Sequence, residues 1–190
     1  MAINQHTEFE LSYWGDCCNT IDEELKQLVY AQLMQLKRIH YSFDVEGKSI
    51  LDIGGGPVSL LLKTVNLKQG MVADPLRYPE WTVLRYDKKN IEYWKIKGED
   101  LNEENWDEVW IYNCLQHVDD PEKIIKNALK AGKVLRLFEW INIPPHPGHP
   151  HELTEEKLNE WIGAKGNTIQ LAESGCYGTG YYLVHTSPFY

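Results

Sequence analysis

The sequence predicts an α/β fold in which helices cover both faces of a mostly parallel sheet. Three observations support this prediction. Short apolar runs alternate along the chain with segments of helical periodicity, a glycine-rich turn follows the first strand-like run, and the last two runs lie close enough to pair with each other. Alternating strands and helices require crossover connections, which make the strands parallel and place helices on both sides. We therefore expect a doubly wound, mostly parallel, seven-stranded sheet that ends in a C-terminal antiparallel hairpin.

Each predicted strand is a short apolar or β-branched run that ends at glycine, proline or a polar cluster. These runs are residues 49–53, 71–73, 91–97, 109–112, 134–138, 168–172 and 181–184, the last two joined across Gly175 to Gly180. The four prolines between Pro144 and Pro150 predict a loop.

The predicted helices begin at recognisable capping residues. Thr20 with Glu23 has the spacing of a capping box, and Leu25, Leu28, Val29, Leu33 and Leu36 would form the buried face of the helix that follows. Asp120 before Pro121, and Thr154 before two glutamates, predict two later helices. We also expect helices at residues 58–62, directly after the glycine turn, and at residues 79–89.

The composition indicates one domain, residues 1–190, whose length suits a single core. There are 28 acidic against 19 basic residues, a net charge of −9, and no basic run that would bind a nucleic acid. No apolar run approaches the roughly 18 residues that cross a bilayer, and the first ten residues lack a signal-peptide pattern. We expect a cytoplasmic protein without nucleic-acid or membrane partners; an oligomer is possible but not indicated.

The cysteines of the chain, at positions 17, 18, 114 and 176, are expected to be reduced.

The glycine turn and a later carboxylate predict a nucleoside site. Gly54, Gly55 and Gly56 carry no Cβ where a ligand would approach the backbone, and a helix starting there would present free N–H groups. Asp74, at the end of the second strand, is placed to accept hydrogen bonds from ribose hydroxyls. A glycine turn can also serve tight packing alone. Asp52, just before the turn, would repel a pyrophosphate, which favours cationic S-adenosylmethionine over a dinucleotide.

From about Ser49 to Gly163 the sequence resembles class I S-adenosylmethionine-dependent methyltransferases of the small-molecule type. Ile50 to Pro57 looks like the first motif of that family, Val72 to Leu76 like the second, Gly98 to Leu101 like the third, and Asn113 to Pro121 like the fourth. The resemblance implies a Rossmann-like fold and transfer of a methyl group from S-adenosylmethionine, leaving S-adenosylhomocysteine. It implies that the cofactor is bound by Asp52, Gly54, Gly55, Gly56, Pro57, Asp74, Pro75, Leu76, Glu99, Asp100, Asn113, Cys114 and Leu115.

The N-terminal 40 residues are expected to form an arm and a helix packed on the site. Its segment Tyr13 to Thr20, with Tyr13 and Trp14 at its start, is either an aromatic lid over the cofactor or a docked arm; lids and packed termini look alike in sequence.

Methyl transfer depends mainly on positioning, so few side chains need to react. If the acceptor is a hydroxyl, His117 is the first candidate for the base and His146 the second. The alternative is that His117 only caps or packs. No metal is expected, although His146, His149 and His151 have ligand-like spacing, because no cysteine or carboxylate cluster completes a set. Glu139 is either a pocket acid or a solvated strand end.

Two other functions remain open at this point. A nicotinamide-dependent oxidoreductase, with NAD or NADP, uses a similar sheet, and a non-catalytic relative would bind the cofactor only as a scaffold.

Overall fold

A computed structural model describes residues 5–18, 20–173 and 175–190 of the chain. Residues 1–4 of the predicted arm, Asn19 of its aromatic segment and Ser174 of the predicted hairpin connection lie outside the described residues. The α-helices are α1 (Gln5–Trp14), α2 (Ile21–Leu33), α3 (Glu80–Asp87), α4 (Pro121–Ala131) and α5 (Glu155–Ile162). The strands are β1 (Arg38–Ile39), β2 (Ser42–Asp44), β3 (Ser49–Ile53), β4 (Thr64–Val65), β5 (Gln69–Ala73), β6 (Ile91–Trp94), β7 (Trp106–Tyr112), β8 (Gly132–Ile141), β9 (Asn167–Glu173) and β10 (Cys176–Thr186).

The main sheet has seven strands in the order β6-β5-β3-β7-β8-β10-β9. The first five of these are parallel, and β10 pairs antiparallel with both β8 and β9. This confirms the predicted mixed sheet with its C-terminal hairpin. One apolar layer packs under α4 and α5, and a second packs under α2 and α3, so helices cover both faces. A small sheet, β1-β2-β4, was not predicted.

Local capping signals located two helices correctly. Asp120 accepts a hydrogen bond from the Lys123 N–H at the start of α4, and Thr154 accepts one from the Lys157 N–H at the start of α5. The strand predicted at residues 91–97 ends at Trp94, and β10 begins at Cys176, so most of the predicted connection is strand.

The helix predicted at residues 58–62 is wrong. The chain there forms two short 3-10 turns, Gly56–Val58 and Leu60–Lys63, separated by an extended Ser59. The backbone of the turn bonds to distant side chains. The Tyr86 hydroxyl donates to the Gly56 carbonyl and accepts from the Ser59 N–H, and the Tyr112 hydroxyl accepts from the Leu60 N–H. These bonds replace those of a regular helix.

Two details of α2 also differ from the prediction. Thr20 has helical backbone angles and forms no side-chain cap, so the capping box is absent. Leu25 is 52% exposed, whereas Glu23 and Gln27 are buried. The helix is rotated relative to its apolar stripe because its first turns face a cavity instead of the sheet.

Candidate functional site

A cavity of about 430 Å³ opens at the carboxyl ends of β3, β5 and β7, beneath α1 and α2. Its size suits a small-molecule ligand, and its place is where parallel α/β sheets bind ligands. The predicted binding residues that line it are Tyr13, Trp14, Gly54, Gly55, Gly56, Asp74, Pro75, Leu76, Glu99, Asn113 and Cys114. Sequence motifs that lie far apart along the chain therefore meet at one site.

The three glycines of the turn are needed for different reasons. Gly54 and Gly56 have positive φ angles of +75° and +60°, which favour glycine. A Cβ on Gly54 would lie 2.2 Å from the Cys114 Sγ, and one on Gly55 would lie 2.5 Å from an Asp52 oxygen. A Cβ on Gly56 would meet only Tyr78 and Trp14, at 3.7 and 3.9 Å. Gly54 and Gly55 thus permit close packing, while Gly56 keeps the cavity wall bare.

Asp74 links the end of β5 to the glycine turn. Its carboxylate accepts hydrogen bonds from the Gly56 N–H at 3.1 Å and the Leu76 N–H at 2.9 Å. Burial raises the pKa of Asp74 to about 6, although these bonds act in the opposite direction. The Tyr78 hydroxyl is a third donor to this carboxylate and also lowers its pKa. A carboxylate has about four lone pairs, so Asp74 retains acceptor capacity for one further donor from the cavity.

Asp52 lies beneath the turn and is not part of the cavity wall. Its carboxylate accepts hydrogen bonds from the Ser59 hydroxyl and from the Tyr112 hydroxyl at 2.6 Å, and its Oδ1 is buried without a partner. Complete burial raises the pKa of Asp52 to about 7. Its observed contacts support the turn from below. Four other predicted site residues are also absent from the wall: Pro57, Asp100, Leu115 and His146.

Glu139 holds the turn after β7 in place. Its carboxylate accepts hydrogen bonds from the backbone N–H groups of Cys114, at 2.9 Å, and Leu115, at 3.0 Å. The side chain is fully buried, which raises its pKa to about 7. Glu139 is therefore neither of the two alternatives drawn from the sequence. It positions Asn113 and Cys114, where Asn113 itself adopts a positive φ of +50°.

Glu99 lines the cavity from the segment after β6. Its Oε1 accepts hydrogen bonds from the backbone N–H groups of Asp119, at 2.9 Å, and Asp120, at 3.0 Å. The carboxylate therefore joins the third and fourth motifs at one edge of the cavity, whereas the neighbouring Asp100 is exposed.

His117 reaches the cavity between α1 and the proline-rich loop. Its Nδ1 lies 3.0 Å from the Glu10 carboxylate and 2.8 Å from the Gly148 carbonyl, so a proton on Nδ1 satisfies both acceptors. Burial lowers the pKa of His117, but the bond to Glu10 and the charge of Glu10 outweigh it, and the net pKa is raised. His149 packs edge-on against His117, with ring centroids 4.5 Å apart. Burial lowers the pKa of His149 to about 4, so this imidazole is neutral at pH 7.

Sequence reasoning missed several ionisable residues that line the cavity, among them the carboxylates Glu10 and Glu23. Glu10 and Glu23 lie on α1 and α2, and reach the site only because those helices pack over it, which no local motif signals. Among the described residues, no group of three or more His, Cys, Asp or Glu side chains is arranged to hold a metal ion. None of the helices in the described ranges is long and apolar enough to cross a membrane.

Comparison with known proteins gives matches at the level of structure. No family model matches the sequence, and no curated protein matches it. A 1,6-didemethyltoxoflavin-N1-methyltransferase from Burkholderia thailandensis, solved with S-adenosylhomocysteine, superposes with a TM-score of 0.66 at 16% identity over 95% of this chain and 87% of its own. The N-methyltransferase NodS from Bradyrhizobium japonicum, also solved with S-adenosylhomocysteine, gives 0.66 at 14% identity over 98% and 100%.

A third similar structure is the magnesium protoporphyrin IX methyltransferase from Synechocystis, solved with S-adenosylmethionine. Its TM-score is 0.58 at 15% identity, over 97% of this chain and 99% of its own. At these identities the likeness concerns the fold. The strand order, the C-terminal hairpin and these similar structures together show that this chain has the fold of class I S-adenosylmethionine-dependent methyltransferases.

Proposed function

We propose that this protein transfers a methyl group from S-adenosylmethionine to a small-molecule acceptor. One observation carries the proposal: the bare backbone of Gly56 and the carboxylate of Asp74 meet at the ends of adjacent parallel strands, joined by a hydrogen bond, in the wall of a cavity. The first supplies a surface that a ligand can approach closely, and the second supplies an acceptor for a ribose hydroxyl group.

The residues present fit this cofactor. Asp74 would accept hydrogen bonds from the ribose, Leu76 would pack against the adenine, and the glycine turn would lie against the methionine part. When bound, S-adenosylmethionine supplies an electrophilic methyl group on a cationic sulfur. The protein holds the acceptor in line and excludes water, which accounts for most of the acceleration in such reactions.

The same geometry disfavours a dinucleotide. Pyrophosphates bind at the N-terminus of a regular helix after the glycine turn, and here that helix is replaced by 3-10 turns. The Asp74 carboxylate beside the turn would repel a pyrophosphate further. These features support the sulfonium cofactor over the nicotinamide alternative.

His117 is proposed as the group that accepts a proton from the acceptor. Glu10 and the Gly148 carbonyl hold the proton of Nδ1, which leaves Nε2 as the basic nitrogen. The contact of Nε2 with the side-chain nitrogen of Gln116 is long, at 3.4 Å, so this nitrogen can exchange it for a substrate. Glu10 acts through His117 and is a positioning residue.

Calorimetry with S-adenosylhomocysteine tests the proposal. We expect binding by the wild-type protein, and affinity about 10- to 100-fold weaker in Asp74→Asn, the range for losing hydrogen bonds to a charged acceptor. Asp100→Asn is the matched control, because Asp100 is exposed and outside the cavity wall, and its affinity should equal that of the wild type. Absence of binding by folded wild-type protein, or tighter binding of NAD, would refute the proposal.

A further inference from the structure

The chemical class of the acceptor can be inferred from the part of the cavity that the cofactor does not need; this inference rests on the proposed function. If the cofactor lies against Gly56, Asp74 and Glu99, the remaining wall is formed by α2 and by the ends of β7 and β8. The start of β10 completes it. This wall carries Glu23, Asn113, Trp140 and Tyr177, together with Lys26, which pairs with Glu23.

Glu23 is the unusual member of this wall because it is a carboxylate with only 7% of its surface exposed. A buried charge is costly unless close partners compensate it. Two contacts of Glu23 are long: 3.4 Å to the Lys26 ammonium and 3.4 Å to the Asn113 amide nitrogen. Lys26 is partly exposed, so its ammonium can turn to water when a ligand enters. The carboxylate therefore has capacity for a closer donor from the cavity.

A line of polar contacts connects Glu23 to His117 along the cavity wall. The Asn113 amide bridges them: its nitrogen contacts Glu23, and its oxygen accepts a hydrogen bond of 3.1 Å from the Gln116 nitrogen. The same Gln116 nitrogen contacts the Nε2 of His117. A carboxylate and a proton acceptor thus lie at the two ends of one polar strip.

Aromatic rings accompany the carboxylate. Trp140 is 8% exposed and presents its indole to the cavity, whereas Tyr177 is 75% exposed at the rim. Tyr13 lies on the opposite side, on α1. Aromatic faces attract cations, and a carboxylate adds a charge-assisted hydrogen bond.

Amine and hydroxyl acceptors differ in how charge moves during methyl transfer, and this difference distinguishes them at this site. Methylation of a neutral amine moves a positive charge from sulfur to nitrogen, and a carboxylate beside the nitrogen stabilises that change. A hydroxyl develops negative charge as its proton leaves, and the Glu23 carboxylate in the same wall opposes that charge. We propose that the acceptor is a small primary or secondary amine whose nitrogen binds against the Glu23 carboxylate, beside Trp140 and Tyr177.

The amine enters as an ammonium ion and loses one proton, which passes through solvent in the cavity to His117 at the other end of the polar strip. Its freed lone pair forms the bond to the methyl carbon while the carbon–sulfur bond breaks, and that electron pair goes to sulfur. The products are an N-methylammonium ion, held by Glu23, and neutral S-adenosylhomocysteine sulfur. No oxidant or further reactant is needed.

Matched fragments test the inference on protein saturated with S-adenosylhomocysteine. Binding of benzylamine, benzyl alcohol and benzoate is measured by NMR titration for the wild type, Glu23→Gln and Glu24→Gln. We expect benzylamine to bind at least about 10-fold more tightly than the other two, the value of one charge-assisted hydrogen bond, and this preference to vanish in Glu23→Gln. Glu24→Gln removes the same charge from the same helix, but Glu24 pairs with Lys63 outside this cavity, so the preference should persist.

The other outcomes overturn the inference. They are equal or tighter binding of benzyl alcohol or benzoate, no measurable benzylamine binding, and a preference that survives Glu23→Gln. A loss of S-adenosylhomocysteine affinity in Glu23→Gln would assign Glu23 to the cofactor and would equally overturn it. A wild-type protein that binds no S-adenosylhomocysteine refutes the methyltransferase proposal itself, whereas failure in the fragment titrations alone leaves that proposal standing.

Discussion

Asp52 should make the protein less stable as the pH rises through the neutral range. Its pKa is 3.8 in an unfolded chain and about 7 in the fold, because the carboxyl group is completely buried. The folded protein therefore holds a proton that the unfolded chain releases, and stability falls as the pH rises from about 4 to 7. A difference of about 3 between the two pKa values corresponds to about 4 kcal/mol at 1.36 kcal/mol per unit.

Asp52→Asn removes this titration while preserving shape. The amide oxygen can still accept from Ser59 and Tyr112, and the amide nitrogen replaces an oxygen that already has no partner. We expect the variant to be more stable than the wild type at pH 8, by up to about 4 kcal/mol, and to lose most of this advantage at pH 4. Urea unfolding of both proteins from pH 4 to 8 measures the difference.

The reasoning is refuted if Asp52→Asn is less stable than the wild type at pH 8, or if both proteins show the same pH dependence. Asp107→Asn provides a control of opposite sign. The bond to Lys133 lowers the pKa of Asp107, so that carboxylate stabilises the fold once it is ionised. Its loss should lower stability at pH 8, by a smaller amount because the pair is near the surface.

Two further predictions concern the turn and α1. Gly54→Ala should unfold at lower temperature than Gly163→Ala and should lose S-adenosylhomocysteine binding: both glycines have φ near +75°, but only the first would press a Cβ against Cys114. Similar melting temperatures would contradict this. Glu10→Gln should lower the pKa of His117, measured by NMR. The raised pKa also means that the Glu10 link stabilises α1 at acid pH and is lost as the pH rises through that pKa, so amide exchange in α1 should accelerate there. An unchanged pKa would refute the link.

The order of strands and helices was predictable because local patterns mark it. Asp120 and Thr154 predict the starts of α4 and α5, because each accepts a capping hydrogen bond from the backbone N–H three residues later. The segment Val58 to Leu62 shows the limit of such patterns. Its residues are compatible with a helix, but the N–H groups of Ser59 and Leu60 donate instead to the hydroxyls of Tyr86 and Tyr112, which come from distant parts of the chain.

The site was predictable to the same extent. Gly54 and Asp74 follow predicted strands directly, so their meeting at one sheet edge follows from the topology. Asp52 was expected to contact the ligand because it adjoins the turn. Its side chain instead lies below the turn, where it accepts hydrogen bonds from the hydroxyls of Ser59 and Tyr112. Glu23 is a charged residue on the buried side of α2. The sequence does not show that this side faces a cavity; that follows only from how α2 packs in the fold.

The side-chain bonds that hold the glycine turn have a consequence for how the protein folds. In a regular strand–turn–helix unit, the hydrogen bonds join residues that are close in sequence, so the unit can form early in folding. Here the side chains that bond to the backbone of residues 56–60 lie 18 to 52 positions away along the chain. The turn can acquire its shape only after α2, α3 and β7 have assembled around it, so ligand binding should appear late in refolding, after most of the secondary structure has formed.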